Sequence, residues 1–188
     1  MTFDSGLAPN PFGRWCTIAV CTPNHCNAKL DKGDWILGHS GISNGYQLIY
    51  AMEITEEIMN FNDYYNDNRF QYKKPVLGGK WWQITGDNIY YQDKNGRYTF
   101  DINAFHEDKF EKDTKYPKVF ISNNFYYFGE NSIEKFPKNF PHLIHKGRKF
   151  TYLEDEESIE RFISWLKKNY TKGRNGNRPT TPVRKPVC

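Results

Sequence analysis

The sequence predicts a mixed α+β fold, a curled sheet or small β-barrel with flanking helices. Three features point there. Short runs of β-formers end at Gly, Pro or Asn, one stretch near the C-terminus carries a helical apolar stripe, and no internal repeat divides the chain.

The elements follow in order. Trp15–Thr22 is short and rich in Thr, Ile, Val and Cys. Asp34–Gly38 is a compact apolar run between two glycines. In Gln47–Ile54, Leu48, Tyr50 and Met52 alternate against Gln47, Ile49, Ala51 and Glu53, the period of a strand. A weak helix is expected at Phe61–Asn66. It opens a long segment, 61–116, that holds most of the Asn, Asp and Tyr and reads as a polar insertion. Val119–Asn123 and Phe125–Phe128 read as two strands joined by a turn at Asn123-Asn124, or as one strand with a bulge. The clearest helix is Glu156–Lys168. Ile159, Phe162, Ile163 and Leu166 share one face, acids crowd its start and lysines its end. Asp155 is the expected N-cap and Gly173 the expected stop.

A chain of 188 residues with 38% hydrophobic and 17% aromatic content can bury a core, and one domain over 1–171 is expected. There is no apolar run long enough for a membrane span and no secretory leader, so a cytoplasmic protein with reduced thiols is expected. The net charge is +4, but its location matters more. Residues 172–188 hold five basic residues and no acid, leaving 21 basic and 22 acidic residues in the body. With three Pro and two Gly, 172–188 reads as a flexible basic arm, either a solubilising terminus or a polyanion contact. A second basic stretch runs from Phe136 to Leu153. It carries Lys138, Lys146, Arg148 and Lys149 among Phe140, Phe150 and Tyr152, the mixture a nucleic-acid surface uses.

Metal and nucleotide motifs are absent from the sequence. Cys16, Cys21 and Cys26 are five apart, lacking the close pairs of a zinc site, so no metal and no cofactor are expected. Structural thiols are the favoured reading. A nucleophilic Cys partnered by His25 or His39 is the lesser one. No P-loop, dinucleotide fingerprint or G-x-S-x-G is present. Asp4, Asp34, Asp63, Asp67 and Asp87 sit in turn-like sequence near Asn10, Asn66 and Asn88. Such residues usually bond their own backbone, yet together with aromatics they could rim a pocket. Trp81-Trp82 cannot both face one core if extended, so one is a candidate stacking surface.

Taken in order, several stretches resemble one family. They are Asp4-Ser5-Gly6-Leu7-Ala8-Pro9-Asn10-Pro11-Phe12-Gly13, Lys32-Gly33-Asp34-Trp35-Ile36-Leu37-Gly38, Asp63-Tyr64-Tyr65, Arg69-Phe70, Lys73-Lys74-Pro75, Gly86-Asp87-Asn88-Ile89-Tyr90 and Phe125-Tyr126-Tyr127-Phe128-Gly129. The chain is similar to nucleotide modification associated domain 2, found in phages and bacteria. The turn at Lys32–Gly38 also looks like the strand entry of the wider PUA-like group of small barrels. The resemblance implies a nucleic-acid or nucleotide partner, often with modified bases, and assigns no catalytic residue.

The expected reading is a binding module whose pocket is drawn from Asp4, Asn10, Trp35, Trp81, Asp87, Asn88 and Tyr90. A base would stack on Trp35 or Trp81, and Lys146, Arg148 and Lys149 would hold phosphates. The alternative is a glycosylase- or nuclease-like enzyme with Asp4, Asp34 or Asp87 as general base. A phage-type protein-interaction domain is the weaker third reading. Oligomeric state is not legible.

Overall fold

The structure is a computed structural model that describes residues 7, 9–20, 25, 27–101, 110–133, 135–147 and 150–177. Asp4, Cys21, Cys26, Arg148, Lys149 and Cys188 lie outside them.

The fold is α+β. The first strand, β1 (Cys16–Ala19), pairs antiparallel with β6 (Val119–Ser122), Cys16 opposite Ser122 and Ala19 opposite Val119. A second, four-stranded sheet runs in the order β2 (Trp35–His39), β3 (Leu48–Glu53), β7 (Asn124–Tyr127), β8 (Gly173–Arg174), with β8 parallel to β7. A hairpin, β4 (Tyr90–Gln92) with β5 (Tyr98–Phe100), forms the third. No closed barrel forms among the described residues, but the two larger sheets are joined by a corner, which is compatible with a curled sheet.

That corner lies at Asn123. Two strands meet there, as expected, rather than one bulged strand, but they are not paired with each other as a hairpin. β6 pairs with β1, and β7 pairs with β3 and β8. The Ser122 hydroxyl makes the bend. Its Oγ accepts from Asn124 N at 3.0 Å and donates to Asn124 O at 2.9 Å. Thr55 closes it from below: its N–H donates to Ile121 O, and its Oγ1 accepts from Asn123 N.

The segment 61–116 supplies core as well as polar surface. Its first helix, α1 (Phe61–Asn66), is capped by Asn60, whose side chain accepts from Asp63 N at 2.9 Å. Phe61, Tyr64, Phe70, Ile89 and Tyr90 are buried with Leu7, Trp15, Ala19, Val119 and Ile121. The short helix α2 (Trp81–Ile84) holds both tryptophans, so that pair is helical, not extended. Further short helices are α3 (Phe110–Asp113) and α4 (Phe136–Asn139).

The last helix, α5 (Glu156–Asn169), is longer by a residue than its sequence signal. Asp155 caps it, accepting from Ser158 N at 3.1 Å and Ser158 Oγ at 2.6 Å. Phe162 and Leu166 bury against Leu48, Tyr126, Phe128, Phe136 and Phe140. The helix stops at Asn169 with an extended Tyr170 cap, ahead of Gly173, which instead begins β8. From there the chain is tied to the sheet: Asn175 N and Gly176 N both donate to Tyr127 O, and Asn177 O accepts from Glu130 N. Residues 172–177 therefore form an edge of the fold, although their composition reads as the start of an arm.

Candidate functional site

A sealed polar network sits where β1, α1, the 3-10 turn Asn68–Lys73 and the Gly86–Asn88 loop meet. Asp87 is its centre. Asp87 Oδ1 accepts from Asn10 Nδ2 at 3.1 Å and from the Tyr64 hydroxyl at 3.1 Å, and Oδ2 accepts from Thr17 Oγ1 at 2.6 Å. Asn10 links it to a lysine. Lys73 Nζ donates to Asn10 Oδ1 at 3.0 Å, to Asn10 O at 2.7 Å and to Trp15 O at 2.8 Å. Carboxylate and ammonium thus face each other across one amide. Asn10, Thr17, Tyr64, Lys73 and Asp87 are all buried.

Local backbone explains why these groups converge. Asn10 and Thr17 exchange backbone hydrogen bonds at 2.8 and 3.1 Å, closing a loop over residues 11–16. Gly86 lets the Asp87 loop approach the Lys73–Pro75 backbone. A Cβ there would fall 2.2 Å from Lys73 O, so only glycine fits. Asn88 then donates from Nδ2 to the carbonyls of Tyr64 and Phe70.

Burial dominates the electrostatics. It pushes the Asp87 carboxyl up to about 6, against the pull of Lys73 and the Thr17 and Tyr64 hydroxyls. It pulls the Lys73 ammonium down to about 8, against the attraction of Asp87. The Cys16 thiol goes up to about 12 and the Tyr64 phenol well above its ordinary value. Burial keeps the Cys16 thiol protonated, which disfavours it as a nucleophile. Asp87 is 2% exposed and has three donors on its two oxygens. The network ties down both ends of the loop 11–16, at Asn10 and at Trp15 and Thr17.

That loop forms one wall of an open cleft of about 480 Å³. Pro11, Phe12, Gly13 and Arg14 face Asn123 and Phe125 at the sheet corner and Lys172, Gly173 and Arg174 at β8. Three cations line it, and no carboxylate does among the described residues. Phe12 is held between planes. Trp82 stacks on it at 5.2 Å, Trp81 meets it edge-on at 5.8 Å, and the Arg174 guanidinium lies 5.2 Å from its centroid. The Phe12 N–H donates to Asn10 Oδ1 at 3.3 Å, so cleft and network share a backbone.

The residues singled out from sequence are placed as follows. Asn10, Asp87 and Asn88 lie in or beside the network, and Trp81 packs beside the cleft. Tyr90 is buried, its hydroxyl donating to Asp113 at 2.9 Å. Asp34 is exposed and accepts from Asp31 N in a turn. Trp35 packs against the core around Leu48 and Phe162, not with Asp87. Lys146 is exposed in the loop before α5. The site residues missed were Thr17, Tyr64 and Lys73 in the network and Phe12, Arg14, Asn123, Phe125, Lys172 and Arg174 at the cleft. Phe12 and Lys73 stand inside the family-like stretches, and Lys172 and Arg174 open the basic C-terminal run, but nothing in the sequence brings those pieces together.

Among the described residues no helix is long and apolar enough to cross a membrane. No curated protein and no solved structure matches the chain. The family model for nucleotide modification associated domain 2 covers residues 1–185, and the chain therefore belongs to that family.

Proposed function

We propose that this protein is a nucleic-acid or nucleotide binding module and that the cleft between Arg14 and Arg174 is its ligand site. The observation that carries this is the cleft's lining: Arg14, Lys172 and Arg174 with Phe12, Phe125 and Asn123, and no carboxylate among the described residues. Guanidinium forks and an ammonium suit phosphate oxygens. The exposed guanidinium planes of Arg14 and Arg174 suit the face of a base, and the Asn123 amide offers both a donor and an acceptor for its edge. The family name favours the same partner class. Recognition of a modified base is the finer part of the proposal, with Asn123 as the group placed to read it. Asn10 and Asp87 serve as anchors of the wall in this reading, since their polar atoms already bond each other.

Equilibrium binding of nucleoside 5′-monophosphates tests it. Saturable binding, lost in an Arg14→Ala/Arg174→Ala double variant that still folds, is the expected result. Absence of binding by the wild type to nucleotides and to oligonucleotides sinks it.

One observation favours an enzyme as the second reading. Asp87 with its carboxyl pushed up to about 6, beside Lys73 pulled down to about 8, is the kind of perturbed pair that catalysis uses. A glycosylase- or nuclease-like reaction would need the loop 11–16 to lift so that Asp87 could act as general base. Turnover of DNA or nucleotides, abolished in Asp87→Asn, selects this reading; stoichiometric binding with unaltered ligand selects the module.

A further inference from the structure

We propose that the basic cleft continues onto an aromatic shelf beside it, and that the two together take a single-stranded polynucleotide, phosphates in the cleft and bases on the shelf. This rests on the cleft being the ligand site.

Two adjacent cleft residues carry the shelf. Phe12 is the inner one, with Trp82 stacked on its ring and Trp81 against its edge. Gly13 is the outer one. It has φ +79°, and a Cβ on it would fall 2.6 Å from the Tyr72 ring, so the hydroxyl end of Tyr72 packs against this stretch of backbone. Tyr72 is 44% exposed. Four and five residues further along the chain, the turn before α2 presents Val76 at 47% and Leu77 at 67% exposure. That turn is fixed to α2, because Val76 N donates to Gln83 O at 2.9 Å. Trp81 and Trp82 in α2 are half-buried. Flat and apolar surface thus begins where the cation-lined cleft ends.

The juxtaposition selects the ligand. A mononucleotide fills the cleft and leaves Tyr72 and Leu77 bare. A duplex keeps its bases stacked inside and offers the shelf only sugar and phosphate. An unpaired strand presents both parts at once, charge for Arg14, Lys172 and Arg174 and base faces for the shelf. Stacking of this kind tolerates any base, because every base has a π-face.

Fluorescence anisotropy with a labelled oligothymidylate of about twelve nucleotides, within the span of a single-strand binding fold, is the test. Thymidine monophosphate and a duplex of the same length are its competitors. The strand is expected to bind at least about ten-fold tighter than either. Tyr72→Ala should cut the ratio of strand to monophosphate affinity by about five-fold or more, the lower limit for losing one stacked base. Leu77→Glu, on an exposed turn away from the core, should cut it as well, so the result does not hang on a variant that touches Gly13. A strand that binds no tighter than the monophosphate, or a ratio unmoved by both variants, overturns the shelf while nucleotide binding in the cleft stands. No binding of either ligand overturns both.

Discussion

Two polar regions lie back to back in this molecule and solve opposite problems. Around Asp87 the polar side chains hydrogen-bond one another out of reach of solvent: Asn10, Thr17, Tyr64 and Lys73 are each at most 2% exposed. Around Arg174 three cations line open space. The first arrangement fixes geometry, because a buried polar group is costly to leave unpaired. The second keeps its charges hydrated and available, which a binding surface requires. They share the loop 11–16, which is how the rigid region can serve the open one. Breaking the network should therefore cost stability first, and altering the cleft should cost binding first.

The largest effect is expected from Lys73→Met. It removes the ammonium from Trp15 O, leaves Asn10 O with Thr17 N alone and Asn10 Oδ1 with Phe12 N alone, and strips Asp87 of its facing charge. Removing one partner of a buried pair costs about 3–5 kcal/mol. Chemical denaturation measures it, and a loss below about 1 kcal/mol would show that the network is not what holds the loop.

Asp87→Asn comes next, at about 1–3 kcal/mol, because an amide NH₂ must face donors on Asn10, Thr17 or Tyr64. Its pH dependence is the sharper readout. The wild-type carboxyl is raised to about 6 in the fold against about 3.9 unfolded, so the folded state holds its proton more tightly. The stability from this group is fully present below about pH 4 and is lost as pH rises through about 6. The variant lacks that contribution, so its deficit should be larger at pH 4 than at pH 7. A deficit that does not change with pH contradicts the raised carboxyl. Lys73, lowered in the fold, acts at the other end: its stability is present above its unfolded value near 10.4 and lost as pH falls through about 8. Between about 6 and 8 both groups are charged, and the network is least stabilising there.

How much of this was legible in the sequence depends on whether the deciding contact is local. Helix α1 was legible at its residue bounds, and α5 with its Asp155 cap, because a cap acts within three or four residues. Strands β1 to β3 were legible from their β-rich runs. The break between β6 and β7 at Asn123 was legible as a turn between two strands, but their partners were not, since those lie far away in sequence. The helix at Trp81–Ile84 was not legible, because four residues give no helical period. The contact of Asn10 with Asp87 joins two stretches singled out on residue type, but its burial was hidden. Asp and Asn in Gly-rich turns look solvated, and nothing local reveals that Lys73, not Lys74, turns inward.

Phe12 belongs to both regions, so Phe12→Leu tests their connection. A volume-conserving apolar swap usually costs less than about 1.5 kcal/mol of stability. Binding should suffer several-fold, because Arg174 loses the ring it lies over and Trp82 its stacking partner. Nucleotide titration beside a thermal melt separates the two. A variant that loses stability and keeps full affinity would mean that the ring serves the core alone.

Lys172→Met should change stability least. Its side chain is exposed at the cleft rim, and surface substitutions usually stay within about 0.5 kcal/mol. Its signature is ionic. If Lys172 neutralises one phosphate, removing it lowers the slope of log affinity against log salt by about 0.7 for a single strand. Affinity should fall at low salt, and the gap from wild type should close as salt rises. An unchanged slope would mean that this ammonium stands near the ligand without meeting its charge, and the cleft's phosphate contacts would then belong to the two arginines. The melting temperature should stay at the wild-type value throughout, which is what distinguishes a cation of the open region from the one buried beneath it.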